Sequence, residues 1–302
     1  MANTNLEKSS ELIALQEKIG ELPLLPQVLV GILQLNSDSD DYFDKFESLS
    51  KEDPGLALKL LALANSALSS PADAISSIRG ALIRMGVSRI MGLVTSLAVQ
   101  RVFMPTKKSQ VRLWQHSIVV AVIAEHFAKL MPELKIDPAE AYLVGLLHDI
   151  GRFIMFEHAS ENLLKVDEEN WSSPDQLASA DIKIFKFTHS ELGYLTCKFW
   201  QLPDIIADAA RDHHKDISIK VVPGSIDAMI MCVQFADRLA MALVEDKNND
   251  KLDTEQTKLI IEEKCCQPLQ NHLKVPVDKL VARLDPIRMQ CDILLSGMGF
   301  PR

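Results

Sequence analysis

The sequence predicts an all-α fold, and three observations carry the prediction. Leu, Ala, Ile and Met recur at helical turn spacing in long runs, aromatic residues make up only 6% of the chain, and several runs open on a capping residue followed by proline, as at Asp53-Pro54 and Asp137-Pro138. At 302 residues and 47% hydrophobic content the chain is globular and long enough for about two domains.

Taken in order, the first clear helix follows Asp53-Pro54, where Asp caps and Pro fits the first turn, with Leu56, Leu60, Leu63 and Ala67 on one face. The stretch from Asn65-Ser66 to Ser69-Ser70-Pro71 breaks it. Ile78, Leu82 and Met85 resume the period up to Gly86, and Ile90, Val94 and Leu97 begin a third helix. Met104-Pro105-Thr106-Lys107-Lys108-Ser109 is the best joint between domains. Beyond it the pattern predicts helices over 111–130, 138–149, 189–200, 203–214 and 225–245, with a long polar connection containing short helices over 158–187. The charged run Glu245–Lys251 closes that domain, and the apolar residues Leu259-Ile260-Ile261, Leu280, Leu284 and Ile287 predict helices packed back on it. The expected division is an N-terminal helical module (1–105), a second helical domain (106–245) and a C-terminal helical extension (246–302).

Charge narrows the function classes. The net charge of −9 makes a field that repels phosphate backbones and anionic lipid, so neither general nucleic-acid binding nor membrane association is expected. Charged residues are scattered too finely for an apolar run of about 20 residues, and the polar N-terminus lacks the apolar core of a secretory signal. Five cysteines without a Cys-x-x-Cys pair fit neither a disulfide framework nor a thiolate zinc site, which predicts a reducing, cytoplasmic setting.

Polar residues on apolar stripes mark the candidate site. His116 falls in line with Val120, Ile123, Phe127 and Leu130, either as a core histidine satisfied by one carbonyl or as a ligand. Asp237 lies in line with Ile226, Ile230, Val233, Met241 and Val244, and a buried carboxylate there needs a proton, a cation or strong hydrogen bonds. Its neighbour Arg238 is on another helix face and is a poor partner. His148-Asp149 precede Ile150-Gly151, where Gly is expected to end the helix and admit a close approach. Thr188 can cap a helix beginning at His189, with Glu191 as reciprocal partner and Gly193 leaving space beside the imidazole. Asp212-His213-His214 ends the helix that follows Leu202-Pro203. Imidazoles mixed with carboxylates suit a divalent first-row transition metal (Fe, Mn or Zn, one or two ions) better than calcium. His126, His158 and His272 are read as surface or packing residues.

The pattern His116…His148-Asp149…Asp237, with its His148-Asp149-Ile150-Gly151 core, resembles the HD superfamily of metal-dependent phosphohydrolases. The blocks Asp53-Pro54-Gly55-Leu56, Ala64-Asn65-Ser66, Ile75-Ser76-Ser77-Ile78 and Met85-Gly86 resemble its HDOD branch, as do Trp114-Gln115-His116-Ser117, Trp200-Gln201-Leu202-Pro203 and Ala236-Asp237-Arg238-Leu239. This resemblance covers about residues 20–245 and implies an HD-domain-like helical bundle preceded by a helical module. By likeness to the HD-GYP branch, His116, His148 and Asp237 would hold one metal, Asp149 would bridge, and His189, His213 and His214 would hold a second. The chain departs from that branch where Arg152, a phosphate-binding candidate, replaces its Lys, where Lys215 replaces its Glu after the His pair, and where the Gly-Tyr-Pro loop is missing.

Two function classes follow. In the first, the chain is a regulatory signal-transduction protein acting on a signalling protein partner, with an HD-type site that binds metal. The N-terminal half has few titratable groups, so its role would be binding, with Leu68 and Met91 as either partner-facing or core residues. In the second, it is a metal-dependent phosphohydrolase or phosphodiesterase with a nucleotide or cyclic dinucleotide ligand. His189, His213, His214 and Asp237 favour the enzyme; Arg152, Lys215 and the missing loop favour the regulator.

Overall fold

A computed structural model of the protein describes residues 10–19, 27–35, 39–65, 75–105, 108–169, 171, 173–217, 221–244, 252–269, 274–298 and 300. The helix break expected over 66–71, Leu68, Thr106-Lys107, the charged run 245–251 and His272 lie outside these residues.

Among the described residues every regular element is a helix and no strand forms. The N-terminal helices are α1 (Ser10–Ile19), α2 (Gln27–Leu33), α3 (Tyr42–Lys51), α4 (Pro54–Ala64), α5 (Ile78–Met85) and α6 (Val87–Val102). Asp53 accepts from the Leu56 backbone N–H at 3.0 Å and Ser77 from that of Gly80 at 3.0 Å, which fixes the starts of α4 and α5. Gly86 turns α5 into α6 at φ 83°, a left-handed conformation that side chains disfavour. Met91 is buried on α6 and so belongs to the core, not to a partner surface.

The second set begins with α7 (Lys108–Leu130), followed by α8 (Pro138–Leu147), α9 (Ile150–His158), α10 (Ser160–Glu168), α11 (Pro174–Phe185), α12 (His189–Phe199), α13 (Asp204–Asp212) and α14 (Ile226–Leu239). α14 continues as a π-helical turn, Ala240–Val244. α15 (Thr254–Ile260), α16 (Val277–Val281) and α17 (Leu284–Gly297) complete the chain. α7 is the axis: its Trp114, Ile118, Val120, Ile123 and Phe127 are fully buried, and α8, α14 and α17 pack around it. The C-terminal helix docks through polar groups as well. Gln290 on α17 donates to the buried Glu125 at 3.1 Å and meets His126 at 3.0 Å, so His126 is a packing residue.

Three details differ from the sequence expectation. The helix expected over 138–149 ends at Leu147, and a new one starts at Ile150, so His148 and Asp149 sit at a helix-to-helix corner. Gly151 does not end a helix; a Cβ there would lie 1.9 Å from the His189 carbonyl oxygen, so the glycine lets α9 and α12 touch backbone to backbone. Gly193 likewise faces the Gly151 amide and the Ile150 side chain rather than open space. Lastly, the short helices expected within 158–187 take up most of that stretch as α10 and α11, each with its own buried face, so little of it is left as a connection. No single helix among the described residues is long and apolar enough to cross a membrane.

Candidate metal centre

Five elements deliver the predicted polar residues to one place. His116 comes from α7, His148 and Asp149 from the α8–α9 corner, His189 from the first position of α12, His213 and His214 from the end of α13, and Asp237 from α14. Local chemistry sets each position. At α12 Thr188 and Glu191 form a reciprocal cap, with Glu191 N–H to Thr188 Oγ1 at 3.2 Å and Thr188 N–H to Glu191 Oε2 at 2.8 Å, which holds His189 at the helix start. His148 donates Nδ1–H to the Gly145 carbonyl at 2.7 Å, and His213 donates Nδ1–H to the Ala210 carbonyl at 2.9 Å. Both rings therefore turn an Nε2 lone pair inward.

Asp149 is the shared member. Its Oδ1 faces His189 Nε2 at 3.1 Å and His213 Nε2 at 3.5 Å, while its Oδ2 faces His116 and His148 Nε2, each at 3.8 Å. Two groups able to hold a metal ion result, His116–His148–Asp149 and Asp149–His189–His213–His214, with ligand atoms in each within 4.8 Å of one another. Asp237 stands outside both compact groups but contacts the first, with Oδ1 3.3 Å from His116 Nε2. Arg238 pairs with Asp175 at 2.9 Å instead of Asp237.

The electrostatics suit cations. Burial would raise the pKa of Asp149, but His148 and His189 outweigh it and hold the carboxyl well below its usual value. Burial pushes His148 down to about 4, so its ring is neutral. His189 behaves oppositely: burial lowers its pKa, but the Asp181 and Asp149 carboxylates prevail and raise it to about 9. The donor set passes a further test of fit for a metal. His148 Nε2 is buried without a hydrogen-bond partner, and the Nε2 atoms of His189 and His214 face each other at 2.9 Å. Imidazole nitrogens crowded on a carboxylate are satisfied by a cation in their midst.

One residue of the centre escaped the sequence reading. Asp181, fully buried on α11, accepts from both the backbone N–H and the ring Nδ1 of His189. Its signal lies in the sequence, because Leu177 and Phe185 flank it one turn before and one turn after, as apolar residues flank Asp237.

Beside the centre lies a cavity of about 390 Å³. His116, Asp149, His214 and Asp237 line it, together with Arg152, Asp167 and Trp171. Arg152 donates from Nη2 to Asp167 at 2.9 Å. Lys215 pairs with Asp212 at 2.5 Å and is exposed.

An all-helical bundle carrying a His/Asp cluster with the chemistry to hold metal ions defines an HD-superfamily-like signalling fold. The sequence profile of the HDOD domain matches residues 22–216, and the chain belongs to the HDOD domain family. It is similar to an HDOD domain protein of unknown function from Geobacter sulfurreducens, with 25% identity, a TM-score of 0.70, and 94% of this chain and 98% of that one covered. A candidate phosphohydrolase from Shewanella amazonensis SB2B has the same fold at 20% identity and a TM-score of 0.72, covering 96% of this chain and 98% of its own. An uncharacterised protein of Treponema pallidum (strain Nichols) is 25% identical over 224 residues, or 74% of this chain, which spans 43% of that protein's length.

Proposed function

We propose that the chain is a regulatory signal-transduction protein of the cytoplasm, that it acts by binding a signalling protein partner, and that its HD-type centre holds one or two divalent ions of Fe, Mn or Zn. In this reading His116, His148 and Asp237 serve one ion, His189, His213 and His214 the other, and Asp149 is shared. The observation that carries it is the contrast within the site. The ligand-type side chains converge on Asp149, yet Arg152 is tied to Asp167 and Lys215 to Asp212, so neither takes up the role of the Lys or Glu that active relatives of the HD-GYP type use. Membership of the HDOD family supports regulation, and the bound ions then tie α7, α12, α13, α14 and the α8–α9 corner together.

The alternative, a metal-dependent phosphohydrolase or phosphodiesterase on a nucleotide or cyclic dinucleotide, is supported by the cavity opening on Asp149. Bound cations there would lower the pKa of a water and polarise a phosphodiester. One pair of experiments separates the two. Cyclic dinucleotides and nucleotides incubated with manganese- or iron-loaded protein are expected to survive, and a partner captured by the full chain is expected to remain with Asp149→Ala but to be lost with Ile83→Glu. Ile83 on α5 is exposed, as is Leu58 on α4. Rapid turnover abolished by His148→Ala with Asp149→Ala would overturn the regulatory reading. Capture unaffected by Ile83→Glu but lost with Asp149→Ala would move the binding surface to the metal centre.

A further inference from the structure

Two cavities reach the metal centre. Besides the one of about 390 Å³, a second of about 450 Å³ is lined by Asp175, Gln234, Arg238 and Leu269, and His214 stands in the wall of both. Consecutive residues at the start of α11 border one each: Pro174 lines the first cavity and Asp175 the second. Asp167 at the end of α10, Trp171, and Leu177 on α11 join Pro174 along the first.

Two ion pairs hold this corner down, one in each cavity. Asp167 meets Arg152 on α9 at 2.9 Å, and Asp175 meets Arg238 on α14 at 2.9 Å. In each pair the arginine is the sheltered partner, with 7% and 17% of its side chain exposed, and the carboxylate the wetter one, with 36% and 58%. Breaking a pair therefore returns a carboxylate to water while the guanidinium stays at the cavity wall, and pairs with so exposed a partner contribute little to stability. The closed arrangement also leaves two neighbouring donors, Arg152 Nη1 and Trp171 Nε1, buried without an acceptor from the protein. Lifting the corner exposes both to water, so hydrogen bonds are recovered as ion pairs are lost. The far ends of the two helices are firm: Leu163 on α10 and Phe185 on α11 are fully buried, and Asp181 grips His189. The outer faces carry the exposed Leu164 and Ile182, which places solvent outside the corner.

We propose that the end of α10 and the first turn of α11 form a gate over the metal centre, latched by Arg152–Asp167 and Arg238–Asp175, whose opening sets how fast a divalent cation reaches or leaves the imidazoles. Opening joins the two cavities at His214, the imidazole they share. The gate rests on the metal-centre reading for its cargo alone; the latches and Trp171 can be followed without any ion.

Two readouts on the full chain test it: acrylamide quenching of tryptophan fluorescence in the metal-free protein, and release of manganese from the loaded protein into excess chelator. Of the three tryptophans Trp114 and Trp200 are buried, so Trp171, partly exposed, reports on the gate. Asp175→Asn and Arg238→Gln alter local charge in opposite senses but break the same latch. Each is expected to increase quenching and to speed release about threefold, and Asp175→Asn with Asp167→Asn about tenfold. Salt at about 1 M, which screens exposed pairs, should act on the unaltered chain in the same direction. Release that moves in opposite directions in Asp175→Asn and Arg238→Gln marks a plain charge effect and overturns the gate, as does quenching that neither substitution changes. An increase in quenching that persists when Trp171→Phe is added overturns it too. Asp175 is mostly exposed, so its substitution leaves the fold intact and decides alone should Arg238→Gln fail to fold. Quenching raised by unlatching in a chain that takes up no metal would keep the gate and contradict the metal-centre reading. Metal uptake with quenching and release indifferent to the latches would do the reverse.

Discussion

Asp181 grips His189 twice, through the backbone N–H at 2.9 Å and through the ring Nδ1, and so aims the opposite nitrogen at Asp149 Oδ1, 3.1 Å away. A carboxylate behind an imidazole fixes its tautomer and raises its basicity toward a metal. Asp181→Asn keeps the shape and removes the charge. It is expected to weaken metal affinity about 10- to 100-fold, read by competition with a chromophoric chelator, while the helical circular dichroism stays unchanged.

In the metal-free protein His148 and His189 push the pH dependence of stability in opposite directions. His148, lowered by burial to about 4, takes up its proton only in the unfolded chain as pH falls below 6.5, so stability drops from there toward 4. His189, raised to about 9 by Asp181 and Asp149 against the effect of burial, contributes stability that is full below 6.5 and is lost as pH rises through 9. Urea unfolding across about pH 5 to 9 should show a maximum in between. Asp181→Asn should flatten the alkaline limb and leave the acid one.

Gly151 is a packing requirement. Its alanine variant would place a methyl 1.9 Å from the His189 carbonyl oxygen and 2.8 Å from the Gly193 nitrogen, both backbone atoms. Forcing α9 from α12 should cost about 1–3 kcal/mol or more in denaturant unfolding and should lower metal affinity together with stability.

The C-terminal helix is held by polar contacts. Gln290→Leu would remove the 3.1 Å bond to Glu125 and the 3.0 Å contact with His126, leaving the buried Glu125 with Lys129 as its remaining side-chain partner. A loss of about 1–3 kcal/mol is expected, with faster amide exchange over residues 284–297.

Much of this arrangement is written locally in the chain. Asp137-Pro138 and Thr188…Glu191 announce α8 and α12 because a cap is a contact between residues three apart. His116 and Asp237 stand out because each interrupts an apolar stripe. The corner at His148-Asp149 is harder to read: Gly151 looks like a helix stop, yet its purpose is the approach of α12, whose His189 lies 38 positions downstream. Short helices were legible within 158–187, but the polar outer face of α11 masked the buried stripe that carries Asp181. That Asp149 faces two sets of imidazoles with its two oxygens is a property of packing between helices, which no spacing along the chain specifies.

Metal analysis of the purified protein and of Asp149→Ala tests the central claim most directly. The account predicts one or two divalent transition ions per wild-type chain, and their loss in the variant, whose imidazoles no longer share a carboxylate. A wild-type protein that stays metal-free after incubation with Fe, Mn and Zn, or an Asp149→Ala protein with undiminished metal content, would contradict it.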